Sequence, residues 1–379
     1  MTGNHEVGGQ PGSKRPWCVA HTAVAALMMI GCGAGEEVTA GEGSGVTASA
    51  IGGDSLYVAD LGDDTIKRFD ASTGEYKGVF VKKGHSPLKG PVGLIVDSNG
   101  DLLISNQNTG TNKHGEILKH SGLTGAALPA IIKHNDADAP FAPRGIVLIG
   151  DVLFVADITS KGKDGPSGRL LTYSLGGELL SDLTPDPSSE FPGAASSDEF
   201  HPRSLVLGPD GLLYVSVVHD LDPKSANFTP GNTLAGWILR FDPSDGSFLG
   251  IFASDEGAGC AAHLHRPEGL VFGPDGRLYV TAFRANPDDT DKILIFDSGG
   301  ACVDRIDLYQ VGETRAFAQA LLFGPNGFLF VPITSTGAIR RYDVSGASAP
   351  IDFVSPGLVR EPWYLTFGDT DPATLEYSP

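Results

Sequence analysis

A single unit, Arg266-Pro-Glu-Gly-Leu-Val-Phe-Gly-Pro-Asp-Gly-Arg-Leu-Tyr-Val280, recurs in variant form along most of the chain and limits its fold more than any other feature. Glu268 to Phe272 alternates as a strand, Pro274-Asp275-Gly276 supplies a tight reversal, and Leu278 to Val280 begins a second strand of β-forming residues. Lys292-Ile-Leu-Ile-Phe-Asp297 reads as a third strand, and Ser298-Gly-Gly300 turns into a fourth at Cys302 to Tyr309. Four antiparallel strands in succession form one blade of a propeller.

Inner-strand patterns stand at Val46 to Gly52, Pro91 to Val96, Pro143 to Ile149, Pro202 to Leu207, Pro267 to Phe272, Ala318 to Phe323 and Pro362 to Phe367. Second strands such as Leu56-Tyr-Val-Ala-Asp60 and Leu213-Tyr-Val-Ser-Val217 follow at intervals of roughly 45 to 65 residues. The expected fold is therefore all-β: a six-bladed β-propeller of four-stranded antiparallel blades. The C-terminal strand closes the ring, so that no sheet edge is left open. Either Val46 to Gly52 or Trp363 to Phe367 must then lie outside the inner place.

The chain starts differently. Lys14-Arg15 precedes the apolar run Cys18 to Gly31, a pattern of secretory signals and too short for a good membrane span. Met29-Ile30-Gly31-Cys32 resembles a bacterial lipobox, which implies lipidation of Cys32. Residues 32–45 read as a flexible Gly/Glu/Ser tether and 46–379 as the propeller. The expected location is the bacterial cell envelope, on its periplasmic or cell-surface face, with membrane contact only through the lipid. A formal charge of −19 repels phosphate backbones and disfavours nucleic acid as a partner. An envelope protein or a small-molecule ligand is expected instead, and the chain is expected to act as a monomer.

The repeat phrases resemble NHL-type repeats and the wider group of gluconolactonase/senescence-marker and streptogramin-lyase propellers, over roughly residues 46 to 377. That resemblance is specific for architecture and leaves chemistry open, since the same blade serves enzymes and docking modules.

Aligning the units puts Val92, Arg144, Arg203, Glu268, Gln319 and Trp363 at one position, where each inner strand enters the central channel. The lactonase resemblance implies Glu, Asn and Asp metal ligands near such positions, and only Glu268 fits. Arg144 and Arg203 would repel a divalent cation, but suit a carboxylate or other anion through bidentate hydrogen bonds. The alternative is that both arginines pair internally, with Asp60, Asn106, Asp157 or Glu268. Of ten histidines, His85, His201, His263 and His265 fall in crossovers and His219 in a loop on the same face. His263-Leu-His265, just ahead of Glu268, could supply part of a Zn, Cu or Ca site, and scattered surface histidines are the competing reading. Two functions thus stay open. One is a binding module; the other is a metal-dependent lyase or hydrolase with His263, His265 and Glu268 on the metal and Arg144, Arg203 and Glu268 acting on an anionic substrate.

Cys260 and Cys302 invite a disulfide in an exported protein. Against it, Cys260 falls in a crossover on one face and Cys302 opens a fourth strand at the other, while bonding needs Cα atoms within about 7 Å. Cys260 as a metal ligand beside His263 is the lesser alternative.

Overall fold

The computed structural model describes residues 55–84, 87–159, 168–185, 200–219 and 235–378. The expected signal segment and tether, Cys32, Val46 to Gly52, His85 and residues 160–167, 186–199 and 220–234 lie outside the described residues. In chain order the strands are β1 (Ser55–Asp60), β2 (Thr65–Asp70), β3 (Tyr76–Val81), β4 (Pro91–Val96), β5 (Leu102–Asn106), β6 (Glu116–His120), β7 (Ala127–Ile132) and β8 (Pro143–Ile149). They continue as β9 (Val152–Asp157), β10 (Arg169–Ser174), β11 (Leu179–Asp182), β12 (His201–Leu207), β13 (Leu213–His219), β14 (Ala235–Phe241), β15 (Phe248–Ser254) and β16 (Leu270–Phe272). The last are β17 (Leu278–Ala282), β18 (Lys292–Phe296), β19 (Cys302–Asp307), β20 (Leu322–Phe323), β21 (Leu329–Ile333), β22 (Ala338–Tyr342), β23 (Ile351–Val354) and β24 (Pro362–Phe367).

These strands form six four-stranded antiparallel sheets, the six-bladed propeller expected from the repeats. Five blades use four consecutive strands; the first has the order β24-β1-β2-β3. The C-terminal strand takes the inner place and pairs with β1 in the register Leu56↔Phe367 to Ala59↔Tyr364. Closure by chain ends far apart in sequence removes the open edge that an unclosed sheet would present.

The repeat motif also explains how blades adhere. Tyr214 of the fourth blade meets Phe272 of the fifth edge-on at 5.0 Å, Tyr279 of the fifth meets Phe323 of the sixth at 5.0 Å, and Phe330 of the sixth meets Phe367 of the first at 5.0 Å. The fifth and sixth blades thus each receive a ring from the preceding blade on an inner-strand Phe and send a ring from the second strand to the next. Edge-to-face packing of this kind adds about 0.5–1.5 kcal/mol per pair beyond area burial. The turn aspartates accept the hydroxyls of these tyrosines, Asp210 from Tyr214 at 2.8 Å and Asp275 from Tyr279 at 3.0 Å, so the buried phenols remain satisfied. Gly273 ahead of the turn is required by space: a Cβ there would stand 2.7 Å from the Tyr279 ring and 3.0 Å from that of Phe323.

Two inner strands are shorter than their pattern. Only Leu270–Phe272 and Leu322–Phe323 keep strand geometry in the fifth and sixth blades. In the fifth, the Thr281 hydroxyl takes the Gly269 N–H at 2.8 Å, replacing a ladder bond where the chain bends into the channel.

Asp and Asn side chains at the ends of second strands hold the crossovers. Asp60 accepts from the Arg360 and Glu361 N–H groups at 2.8 and 3.0 Å, Asp157 from Phe141 and Ala142 at 2.9 and 2.7 Å, and Asn106 from Lys89 at 2.6 Å. Lys67 and Arg169 neutralise the two carboxylates, with Lys67 on Asp60 and Arg169 on Asp157 at 2.8 Å. These side chains therefore fasten crossovers and do not partner Arg144.

Cys260 and Cys302 form a disulfide with Cα atoms 5.5 Å apart. The expectation of opposite faces fails because the crossover after β15 descends as a 3-10 turn, Gly259–His263, that packs on β18 and β19. The bond also removes Cys260 as a metal ligand. Its loop of 42 residues corresponds to about 4 kcal/mol of chain entropy in the unfolded state. Replacing both cysteines by serine should lower the melting temperature by about 6 °C or less, as read by calorimetry. An unchanged melting temperature would show that the crossover is held by packing alone.

Candidate functional site

The six aligned positions converge where the inner strands enter the channel. Their neighbours are small because adjacent inner strands nearly touch: a Cβ on Gly93 would stand 2.2 Å from the Arg144 carbonyl oxygen, and one on Gly145 2.6 Å from the Ser204 Cα. Tyr364 is the exception in this set. Its buried ring projects from the first blade, and its hydroxyl has the Ser204 side chain of the opposite blade as polar neighbour. Below it, the segment after β24 crosses under the channel: Pro372 O accepts from Leu148 N and Ala373 O from Leu207 N, both at 2.9 Å, and Leu375 is buried. Tyr364 and this segment stand at the lower end of the channel, opposite the crossover face.

Just inside that mouth, the Arg144 guanidinium forms a buried ion pair with Glu268 and donates to Gln319 Oε1 at 3.3 Å. Arg266 Nε donates to the other Glu268 oxygen at 2.8 Å. The Arg144 guanidinium lies 5.1 Å from the Trp363 ring centre, a cation–π contact across the channel. Arg203 stands close enough for its charge to act on both Arg144 and Glu268. Of the sequence candidates, Arg144, Arg203 and Glu268 are thus brought together, with Gln319 and Trp363. Val92 contributes a buried apolar wall.

The titration behaviour follows from crowding of like charge. Burial lowers the Arg144 pKa to about 10; Glu268 raises it, while Arg203 and Arg266 press it down. Burial alone would raise the Glu268 carboxyl, but Arg144, Arg203 and Arg266 together hold it below the ordinary carboxylate range. Glu268 is therefore an anion at neutral pH.

His201, His263 and His265 have other neighbours. His263 and His265 are half-buried neighbours, and the surroundings of His265 are Lys292 and Asp289. Burial, and then the Lys292 charge, lower the His265 pKa. His201 is buried with Nδ1 2.8 Å from Ile158 O. Among the described residues no three His, Cys, Asp or Glu side chains stand together as a metal would require. Glu268, needed by the proposed metal set, has both oxygens engaged by guanidiniums. The donor set around Glu268 does not fit a divalent cation.

Further cations and rings stand beside this cluster, at positions that the repeat alignment does not mark. Arg266 stacks on Phe283 at 4.8 Å, and Arg315 lies 5.3 Å from Phe283 and 4.1 Å from Phe317. Arg266 and Phe317, each two residues before the fifth and sixth entry positions, take left-handed backbone with φ of 43° and 51°. Such conformations cost non-glycine residues about 1 kcal/mol each and persist where the surroundings impose them. Asp291 does so for Phe317, accepting its N–H at 3.0 Å while pairing with Arg315 at 2.6 Å. The one readable signal was Arg266 directly ahead of the strand-opening Pro267. Apart from the cluster, the described residues line a cavity of about 440 Å³ beside Tyr309 and Arg340 and another of about 500 Å³ between Phe272, Phe323 and Tyr377.

No family model matches the chain, and no curated protein matches it. Among solved structures, a Bacteroides fragilis protein assigned as a 6-phosphogluconolactonase aligns at TM-score 0.51 and 15% identity over 85% of this chain and 99% of its own. A periplasmic gluconolactonase of Pseudomonas aeruginosa aligns at 0.48 and 16% over 83% and 98%, and virginiamycin B lyase of Staphylococcus aureus at 0.46 and 14% over 78% and 80%. At these identities the likeness concerns the fold.

Replacing Glu268 by Gln should destabilise the protein by about 3–5 kcal/mol in denaturant titration, because Arg144 is left buried without its counter-charge. Arg144→Met combined with Glu268→Gln should cost less than the sum of the two single changes. The depressed Glu268 pKa gives stability that is fully present above the unfolded value of about 4.3 and lost as pH falls through the folded value. The coupling should therefore persist at pH 6. Additive single effects there would refute the pairing.

Proposed function

We propose that this chain is an exported, lipid-anchored propeller of the cell envelope that binds a small anionic ligand at the crossover-face mouth of its channel. The observation that carries the reading is the gathering of Arg144, Arg203 and Arg266 on the single carboxylate of Glu268, beside the Gln319 amide and the Trp363 indole. Planar guanidiniums recognise carboxylates and phosphates through paired hydrogen bonds. Low-dielectric walls strengthen such contacts. In a chain of formal charge −19, a cationic mouth is a local feature against the general field, which suits selective capture of a small anion more than docking of an extended polyanion.

Export is supported by Lys14-Arg15 ahead of the apolar run ending at Cys32, and by a disulfide, a bond that persists in oxidising compartments. Lipidation of Cys32 would tie the ring to the membrane through the 32–45 tether. The metal-dependent lyase or hydrolase reading draws no support from the donors around Glu268.

Calorimetric titration of the intact chain with acetate, succinate and inorganic phosphate tests the reading. Saturable binding that weakens at least tenfold in Arg203→Met and falls with added salt is the expected result. Absence of binding by every anion, or binding indifferent to Arg203, would overturn it.

A further inference from the structure

The polar cluster and the aromatic shell form one continuous surface. From Glu268 the contacts run to Arg266, from Arg266 to Phe283, and from Phe283 to Phe317, whose ring meets it edge-on at 5.8 Å. Phe317 O accepts from Gln319 Nε2 at 3.4 Å, and Gln319 returns to Arg144 beneath Trp363. Phe317 is 36% exposed and Trp363 is partly exposed, so aromatic surface faces the solvent directly above buried guanidiniums.

This order of polarity with depth has a chemical meaning. A carboxylate on a short aliphatic chain would meet the arginines and leave the rings wet. A planar conjugated acid can place its carboxylate among Arg144, Arg203 and Arg266 while its ring covers the indole and phenyl faces. Arg266 and Arg315, already stacked on Phe283 and Phe317, extend the planar surface with guanidinium faces, which pair with π systems. Arg266 is held by Glu268 and by the Phe283 ring, and the Phe317 backbone by Asp291, so little ordering is needed when a ring arrives.

We infer that the preferred ligand class of this mouth is a small planar aromatic monocarboxylate, held by its carboxylate on the arginine cluster and by its ring against Trp363 and Phe317. The inference rests on the anion-binding reading above and goes beyond it in naming the part of the ligand that the arginines do not touch.

The test compares acids of equal charge and similar size on the unaltered chain: benzoate against cyclohexanecarboxylate, and both against acetate, by calorimetry. Benzoate should bind at least tenfold more tightly than cyclohexanecarboxylate. In Trp363→Leu and Phe317→Leu that preference should shrink to about threefold or less. Equal affinity for planar and saturated rings would overturn the aromatic assignment and leave the anion site standing. Failure of all three acids to bind would overturn both. Because the main comparison uses the native chain, an unstable variant does not remove the test.

Discussion

The ring depends on one pairing. β24 lies against β1 through antiparallel bonds between segments some three hundred residues apart in the chain, and the first blade has no inner strand without it. Closure of so long a loop is entropically expensive, although the cost grows only slowly with length. What offsets it is the core of the first blade, where Leu56, Val58, Phe69 and Phe367 are fully buried. The same strand carries Trp363 and Tyr364, so closing the ring and shaping the channel are one event. A chain with β24 detached would lose Tyr364 and the channel's aromatic wall together.

Inside the ring, a buried guanidinium–carboxylate network replaces the apolar filling that a non-functional channel would need. Pairs of this kind seldom add net stability over well-packed hydrophobic residues, because desolvation consumes much of the attraction. Here the arrangement is more demanding still, since the three described cations act on one carboxylate and Arg144 is pressed down by its neighbours. An arrangement that costs stability at one end of a channel marks the residues where a site is to be sought.

Much of this was legible in the residues. Period-two alternation and the Gly-Pro-Asp-Gly turns located most strands to within a residue or two, because strand register and turn geometry are local properties. Aligning the repeats also placed Arg144, Arg203, Glu268, Gln319 and Trp363 together, since equivalent positions of a cyclic array must face one axis. Arg266, Phe283, Arg315 and Phe317 were not found. They stand in crossovers or just past strand ends, where no period constrains the direction of a side chain. The histidines show the converse limit: His263 and His265 share a segment with Glu268, yet Glu268 turns inward to the channel while His265 has Lys292 and Asp289 for neighbours. The disulfide was undecided for a similar reason, as a crossover that descends along a blade leaves no mark in composition.

The position of that disulfide has a consequence for recognition. Cys260 is clamped to β19 only a few residues before Arg266, and Phe283 N holds the intervening His265 carbonyl at 2.8 Å. The arm that delivers Arg266 to Glu268 is thus tethered at both its root and its middle. Ordering a free arm on association would consume about 0.5–1.5 kcal/mol for each long side chain immobilised. Under the proposed binding role, the disulfide would move that expense from the moment of association to the moment the bond forms, so the arm would be rigid before any ligand arrives.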